Sequence, residues 1–299
     1  MLAVLAGLAG VLSASLTHHR NRSVLLATAV SHTVAPSPAP TERAVASVPA
    51  ATNDLLLSAP SPGAPTATAP APVITVATSA AAVRQNLVVL GDSVAAGDAC
   101  ACGGGFGTYL ARANGPAALT NDAENGLTSE GLLAELSNPT LVRTLAAATV
   151  VTVTIGANDF DPSLASATTC LLATCYQAAL HTMTSTIDLI TTRLRQLTQP
   201  HTTVVLTGYW NVFLDGQVGA ANGATYVATS DTLSRQVNAA IAHIAAQHQM
   251  LYADLYTPFK GAGSGDDTAL LAPDGDHPNA AGHHLIAHAI AAITGLVSV

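Results

Sequence analysis

The stretch Leu87-Val88-Val89-Leu90-Gly91-Asp92-Ser93-Val94-Ala95-Ala96-Gly97 decides how this chain is read. An apolar run of strand type ends on Gly91, and a serine arrives two residues later, before a segment able to turn helical. The carboxyl end of a strand that feeds a helix is where open α/β sheets place their ligands. Backbone N–H groups at the start of such a helix are unpaired and point at whatever binds there. Ser93 is therefore the first candidate for chemistry. By itself Gly91-Asp92-Ser93 is also an ordinary turn, because glycine tolerates unusual φ while aspartate and serine bond to nearby backbone.

Outward from this stretch the pattern alternates. Apolar runs at Leu87–Leu90, Val150–Ile155, Thr203–Thr207 and Met250–Ala253 predict buried parallel strands, with a weaker one at Ala118–Thr120. Helices are predicted between them, over Thr108–Ala113, Ser129–Leu136, Tyr176–Leu197, Thr229–Gln247 and Ala280–Ile293. Within Tyr176–Leu197, Leu180, Met183, Ile187, Ile190 and Leu194 recur at three- and four-residue steps and form one apolar face. Strands separated by helices of this length imply an α/β fold, with a central, mainly parallel five-stranded sheet covered on both sides.

Composition confines that fold to the later part of the chain. All Phe, Tyr and Trp lie between Phe106 and Phe259, while nine of the sixteen prolines fall between Pro36 and Pro72. Residues 83–299 are long enough for one buried core. The Ala/Pro/Thr-rich stretch at 36–82 cannot bury one and reads as a disordered linker. Ahead of it, the apolar run Leu2–Leu16, Arg20 and Arg22, and the second run Val24–Val30 mark residues 1–35 as a signal peptide or a short membrane anchor. Either implies export, with the linker tethering the domain to membrane or cell wall. Charged residues make up 9% of the chain and the formal net charge is −8, so the basic footprint of a nucleic-acid binder is missing.

Four cysteines form two close pairs, Cys100 with Cys102 and Cys170 with Cys175. In an exported protein they predict disulfides. Cys170–Cys175 closes easily, whereas Cys100–Cys102 makes a small, strained ring and is the less certain pair. Zinc is the competing reading, but unequal spacings without clustered histidines make a poor structural site, so no metal is expected.

A serine hydroxyl needs a base to take its proton as it attacks. Near the chain's end stands Asp274-Gly275-Asp276-His277-Pro278-Asn279, just before the last predicted helix. In such a turn the Asp274 carboxylate can accept the Nδ1–H of His277 and leave Nε2 facing a serine from elsewhere. Asp276 is the rival acid, although adjacent side chains tend to diverge. Asp254 follows a strand and suits a capping or turn role. His283, His284 and His288 fall on the last helix as packing or surface residues. Acyl transfer also needs donors for the developing oxyanion. Gly126, in Asn125-Gly126-Leu127-Thr128, can bring a backbone N–H close, and Asn158, in Gly156-Ala157-Asn158-Asp159, can offer its amide. Each sequence alone is a commonplace turn.

Together, Ser93, Gly126, Asn158 and His277, in that order, resemble the SGNH hydrolases, the GDSL-type lipase/esterase family. The resemblance covers nearly all of 83–299 and nothing earlier. It implies a flavodoxin-like three-layer α/β/α sandwich and ester hydrolysis through an acyl-enzyme, without a cofactor. Ser93 would be the nucleophile, His277 the base and then the acid, and Asp274 the residue orienting the imidazole. The N–H groups of Ser93 and Gly126 and the Asn158 side chain would form the oxyanion hole. Val94 stands where the family name has leucine, and the sequence is not the Gly-x-Ser-x-Gly turn of α/β-hydrolases. The expected protein is a monomeric, secreted or surface-held serine esterase or lipase acting on a small-molecule, lipid or polysaccharide ester. An acyltransferase or polysaccharide deacetylase on the same fold, or an inactive wall- or carbohydrate-binding module, are the alternatives. The loops Tyr209–Ala220 and Gly261–Thr268 are expected to set pocket depth, with Trp210, Phe213 and Leu214 either lining an acyl groove or packing in the core.

Overall fold

Short apolar runs of this kind are buried only when helices cover both faces of the sheet they join. In the computed structural model, which describes residues 85–115, 117–161, 173–263 and 265–298, all five expected strands form. They are β1 (Asn86–Gly91), β2 (Ala118–Asn121), β3 (Val150–Thr154), β4 (Thr203–Thr207) and β5 (Leu251–Ala253). The expected signal or anchor, the linker and Cys170 lie outside the described residues. Every pairing is parallel, and the strand order is β2-β1-β3-β4-β5. That is the flavodoxin-like order, which reverses direction at β1 and opens a crevice at the carboxyl ends of β1 and β3. Leu87 pairs with Val150 and Gly91 with Thr154.

The helices are α1 (Ser93–Ala96), α2 (Gly105–Ala113), α3 (Ser129–Glu135), α4 (Pro139–Ala146), α5 (Gln177–Leu197), α6 (Gly216–Ala221), α7 (Ala224–Gln247), α8 (Tyr256–Lys260) and α9 (Ala280–Thr294). Helix α2 packs on α9, and α5 packs between α3 and α7, giving the three layers. The predicted face of α5 is the buried one: Met183, Ile187, Ile190 and Leu194 are fully enclosed. No described helix is long and apolar enough to cross a membrane.

Differences from expectation lie at helix ends and in short helices. Helix α2 begins at Gly105 and not Thr108, because buried Phe106 anchors a turn that its flanking glycines disfavour. Helix α7 begins at Ala224, ahead of the expected Thr229, and carries Tyr226 into the interior. Helices α4, α6 and α8 were not expected. In α4, Asn138 caps the first turn, Pro139 follows at the first helical position, and Leu141 and Leu145 are buried. Helix α6 contains two glycines and is held by its surroundings.

Those surroundings include a buried ionic cluster. Lys260 Nζ lies 2.7 Å from Asp215 Oδ2 and 3.8 Å from Asp267 Oδ1, with all three side chains enclosed. Burial, then the charge of Asp215, pushes the Asp267 carboxyl up to about 7. Asp215 caps α6 with its carboxylate and donates its backbone N–H to the Gly275 carbonyl at 2.7 Å. The cluster thus seats the loop that carries His277.

Candidate active site

The nucleophile turn is built by two constraints at the end of β1. A Cβ on Gly91 would be driven into the Thr154 carbonyl oxygen of β3, and its φ of +130° suits glycine alone. The N–H of Asp92 donates to that same Thr154 oxygen at 2.9 Å, which fixes where the chain leaves the sheet. Asp92 then caps α1: its Oδ1 accepts from the Val94 N–H at 3.1 Å, and its Oδ2 accepts from the Tyr209 hydroxyl at 2.5 Å. Ser93 is therefore the first residue of α1, at the carboxyl edge of the sheet. Complete burial pushes the Asp92 carboxyl up to about 7 against the hydrogen bonds that lower it.

The histidine arrives on a loop pinned by Asn279. This residue caps α9 through bonds from Ala281 N–H at 2.8 Å and Gly282 N–H at 3.1 Å, and its amide donates to the carbonyls of Ala269 and Leu271 at 2.9 Å each. A bridge between Leu271 and Pro278 closes the loop. Inside it, Asp274 Oδ2 lies 2.9 Å from His277 Nδ1, and Asp274 Oδ1 accepts the backbone N–H groups of Asp276 and His277 at 3.1 Å. Asp276 does not turn away as expected: its Oδ2 stands 3.8 Å from the same His277 nitrogen.

The two glycine-containing loops expected to supply donors are fastened together. The Asn158 amide donates to the Leu127 carbonyl at 3.1 Å, and its second N–H has no partner among the described residues. Asp159 accepts the Ser129 hydroxyl at 2.6 Å and the Ser129 N–H at 3.0 Å, gripping the start of α3. Gly126, the residue before Leu127, sits in an exposed turn with φ of +77°. Among the described residues, the backbone N–H groups of Ser93 and Gly126 donate to nothing.

Asp92, Ser93, Asn158, Phe160, Phe213 and Asp276 share a cavity of about 110 Å³. The structure thus brings Ser93 and Asn158 to the loop that holds Asp274 and His277, while Gly126 lies outside the cavity wall. The Ser93 hydroxyl and His277 Nε2 have no hydrogen-bond partner among the described residues. Such contacts are often long in free enzymes and tighten when substrate binds. A larger cavity, about 610 Å³, lies at Asp215, Lys260 and the start of α7, and does not include Ser93. Of the three side chains weighed for an acyl groove, Phe213 lines the Ser93 cavity, whereas Trp210 is fully buried and stacks on Phe259 at 4.5 Å. Leu214 is half-buried and lines neither cavity.

Acids dominate the electrostatics of the His277 loop. Burial opposes a charge on the His277 ring, but the carboxylate of Asp276 and then the bond to Asp274 outweigh it and raise its pKa. Burial also pushes the Asp276 carboxyl up to about 6, against the attraction of His277. Asp274 feels burial too, yet the N–H of Asp276, the His277 ring and the N–H of His277 hold it below the usual carboxylate range. Asp254 makes the turn that leads into α8, accepting the Tyr256 N–H at 2.9 Å, which is one of the two roles expected of it. His283 is fully buried, its ring centroid 6.3 Å from that of Phe106, while His284 and His288 are exposed. Cys100 and Cys102 are bonded despite the small ring they close, with their Cα atoms 5.1 Å apart, and Cys175 is also disulfide-bonded. Among the described residues, no three His, Cys, Asp or Glu side chains converge in a way that would hold a metal ion.

Sequence reasoning did not find Tyr209, which reaches Asp92 across 117 positions, or the grip of Asp159 on Ser129. No local spacing signals either pair. Phe160 follows directly on Asn158-Asp159, and its place after a strand end was the available hint.

No curated protein matches the chain. Among solved structures, the lipase Lip_vut3 from a goat rumen metagenome superposes with a TM-score of 0.59 at 21% identity, covering 70% of this chain and 96% of that one. The extracellular lipase of Streptomyces rimosus gives 0.56 at 21% identity, covering 70% and 100%. A catalytic mutant of the acetylxylan esterase Axe2 from Geobacillus stearothermophilus gives 0.51 at 17% identity, covering 71% and 95%. These likenesses establish the fold. A profile of the GDSL-like lipase/acylhydrolase family matches residues 89–285. With that match spanning most of the folded part, and with Ser93 at the carboxyl end of β1 as the motif requires, the chain belongs to the GDSL-like lipase/acylhydrolase family.

Proposed function

We propose that this protein is a serine esterase that hydrolyses carboxylic esters through an acyl-enzyme. Ser93 Oγ attacks the ester carbonyl carbon as His277 Nε2 takes its proton, and the carbonyl electron pair moves onto oxygen. That oxyanion is received by the N–H groups of Ser93 and Gly126 and the second amide N–H of Asn158. Collapse of the intermediate breaks the ester C–O bond, and His277 returns the proton to the leaving alcohol. Water then repeats the sequence on the acyl-serine and releases the acid and free Ser93. Asp274 keeps the imidazole in the tautomer that leaves Nε2 open.

The supporting observation is the 2.9 Å contact between Asp274 and His277 Nδ1, in a loop whose Asp276 lines the cavity of Ser93 and Asn158. The test is Ser93→Ala. Hydrolysis of a chromogenic short-chain ester is expected to fall by several orders of magnitude, with an unchanged melting temperature. Undiminished turnover in that variant would end the proposal. We also propose that the enzyme works outside the cytoplasm, which the apolar N-terminal runs and the bonded Cys100–Cys102 pair support. Retention of the full chain inside its cell, with those thiols reduced, would contradict this.

A further inference from the structure

The cavity beside Ser93 has a fixed wall. Its apolar lining comes from Val94, Ala157, Phe160, Val212 and Phe213. The Phe160 and Phe213 rings meet edge to face with centroids 5.9 Å apart, and Tyr176 backs Phe160 at 6.1 Å in the same manner. Phe160 is 4% exposed and Tyr176 1%, so the wall cannot recede without disturbing a close-packed core. Phe213 is only half-buried and forms the adjustable part of the rim. With roughly 30 Å³ for each water-sized group, a cavity of about 110 Å³ holds three to four such groups. That is the size of an acetyl group, with propionyl at the upper limit. Of the polar groups on the same cavity, Ser93 and Asn158 suit the carbonyl end of an acyl chain, the carboxyls of Asp92 and Asp276 leave little apolar surface beyond the phenylalanines, and that surface suits only a short hydrocarbon.

We infer that this enzyme selects esters of short aliphatic acids and that Phe213 sets the limit on acyl length. The inference rests on Ser93 being the nucleophile. It goes beyond family membership, since the fold is shared by lipases and an acetylxylan esterase alike.

The test uses the full chain with nitrophenyl acetate, butyrate, hexanoate and octanoate, in the wild type, Phe213→Ala and Phe213→Trp. The wild-type kcat/KM is expected to drop about tenfold or more from butyrate to octanoate, because the longer chain outgrows the cavity. Phe213→Ala moves the optimum towards longer chains, and Phe213→Trp confines activity to acetate. Should the alanine variant fail to fold, the tryptophan variant carries the test alone. A series of alkyl acetates places the group: tolerance of long alcohols supports an acyl cavity, and a steep loss on the alcohol side overturns it. A wild type that cleaves octanoate as fast as acetate, or variants that keep the wild-type profile, would also overturn it while leaving the esterase reading intact. A wild type that cleaves no ester, and whose Ser93 escapes labelling by a fluorophosphonate, would remove both.

Discussion

His277 stands between two carboxylates that act on one ring nitrogen, Asp274 at 2.9 Å and Asp276 at 3.8 Å. Their division of labour is testable through pH. The ring must be neutral at Nε2 to accept the Ser93 proton, so kcat/KM climbs as pH rises through the ring's pKa. Asp276 is the largest influence raising that pKa. In Asp276→Asn the ring is expected to lose its proton more readily, which moves the acid limb of the kcat/KM profile to lower pH. Because Asp276 itself titrates near 6, the wild-type limb belongs to the pair and not to His277 alone. A limb that stays in place, or moves upward, would show that Asp276 does not tune the base. The sequence revealed Asp274 through its three-residue spacing from His277. It offered Asp276 only as the rival acid, because adjacent side chains normally diverge; here the chain bends at Gly275, whose φ is +75°, and both acids reach the ring.

Between elements, one carboxylate fixes the loop after β3 against the start of α3. Asp159 accepts two hydrogen bonds from Ser129, which is fully buried, and Asn158 ties the same loop to Leu127. Asp159→Ala leaves the Ser129 hydroxyl and N–H without partners, at a cost of about 1–3 kcal/mol for the buried group. The expected result is a lower melting temperature together with a fall in kcat/KM, because Gly126 and Asn158 are no longer held in register. Preserved activity alongside reduced stability would show that the grip is purely structural. Elements were legible wherever apolar periodicity ran for several turns, as in α5. The turn-sized helices α6 and α8 were not, since their stability comes from partners distant in sequence, such as Lys260 and Asp215.

Across the whole molecule, strand positions could be read from apolar runs, but the order β2-β1-β3-β4-β5 could not. Parallel strands have no turn between them to reveal which are neighbours, and the order came only with the family resemblance. A chain beginning at Val83 contains every described strand and helix. It is expected to melt in one transition at the temperature of the full chain and to cleave short esters at the same rate. A lower melting temperature would place stabilising contacts in residues 1–82. Lys260 is the sole lysine of the sequence, and it is 6% exposed beneath its two aspartates. Amine-coupling reagents are therefore expected to leave the side chains of the folded part unmodified, so a sensor chip or resin activated for primary amines gains no hold on the domain itself.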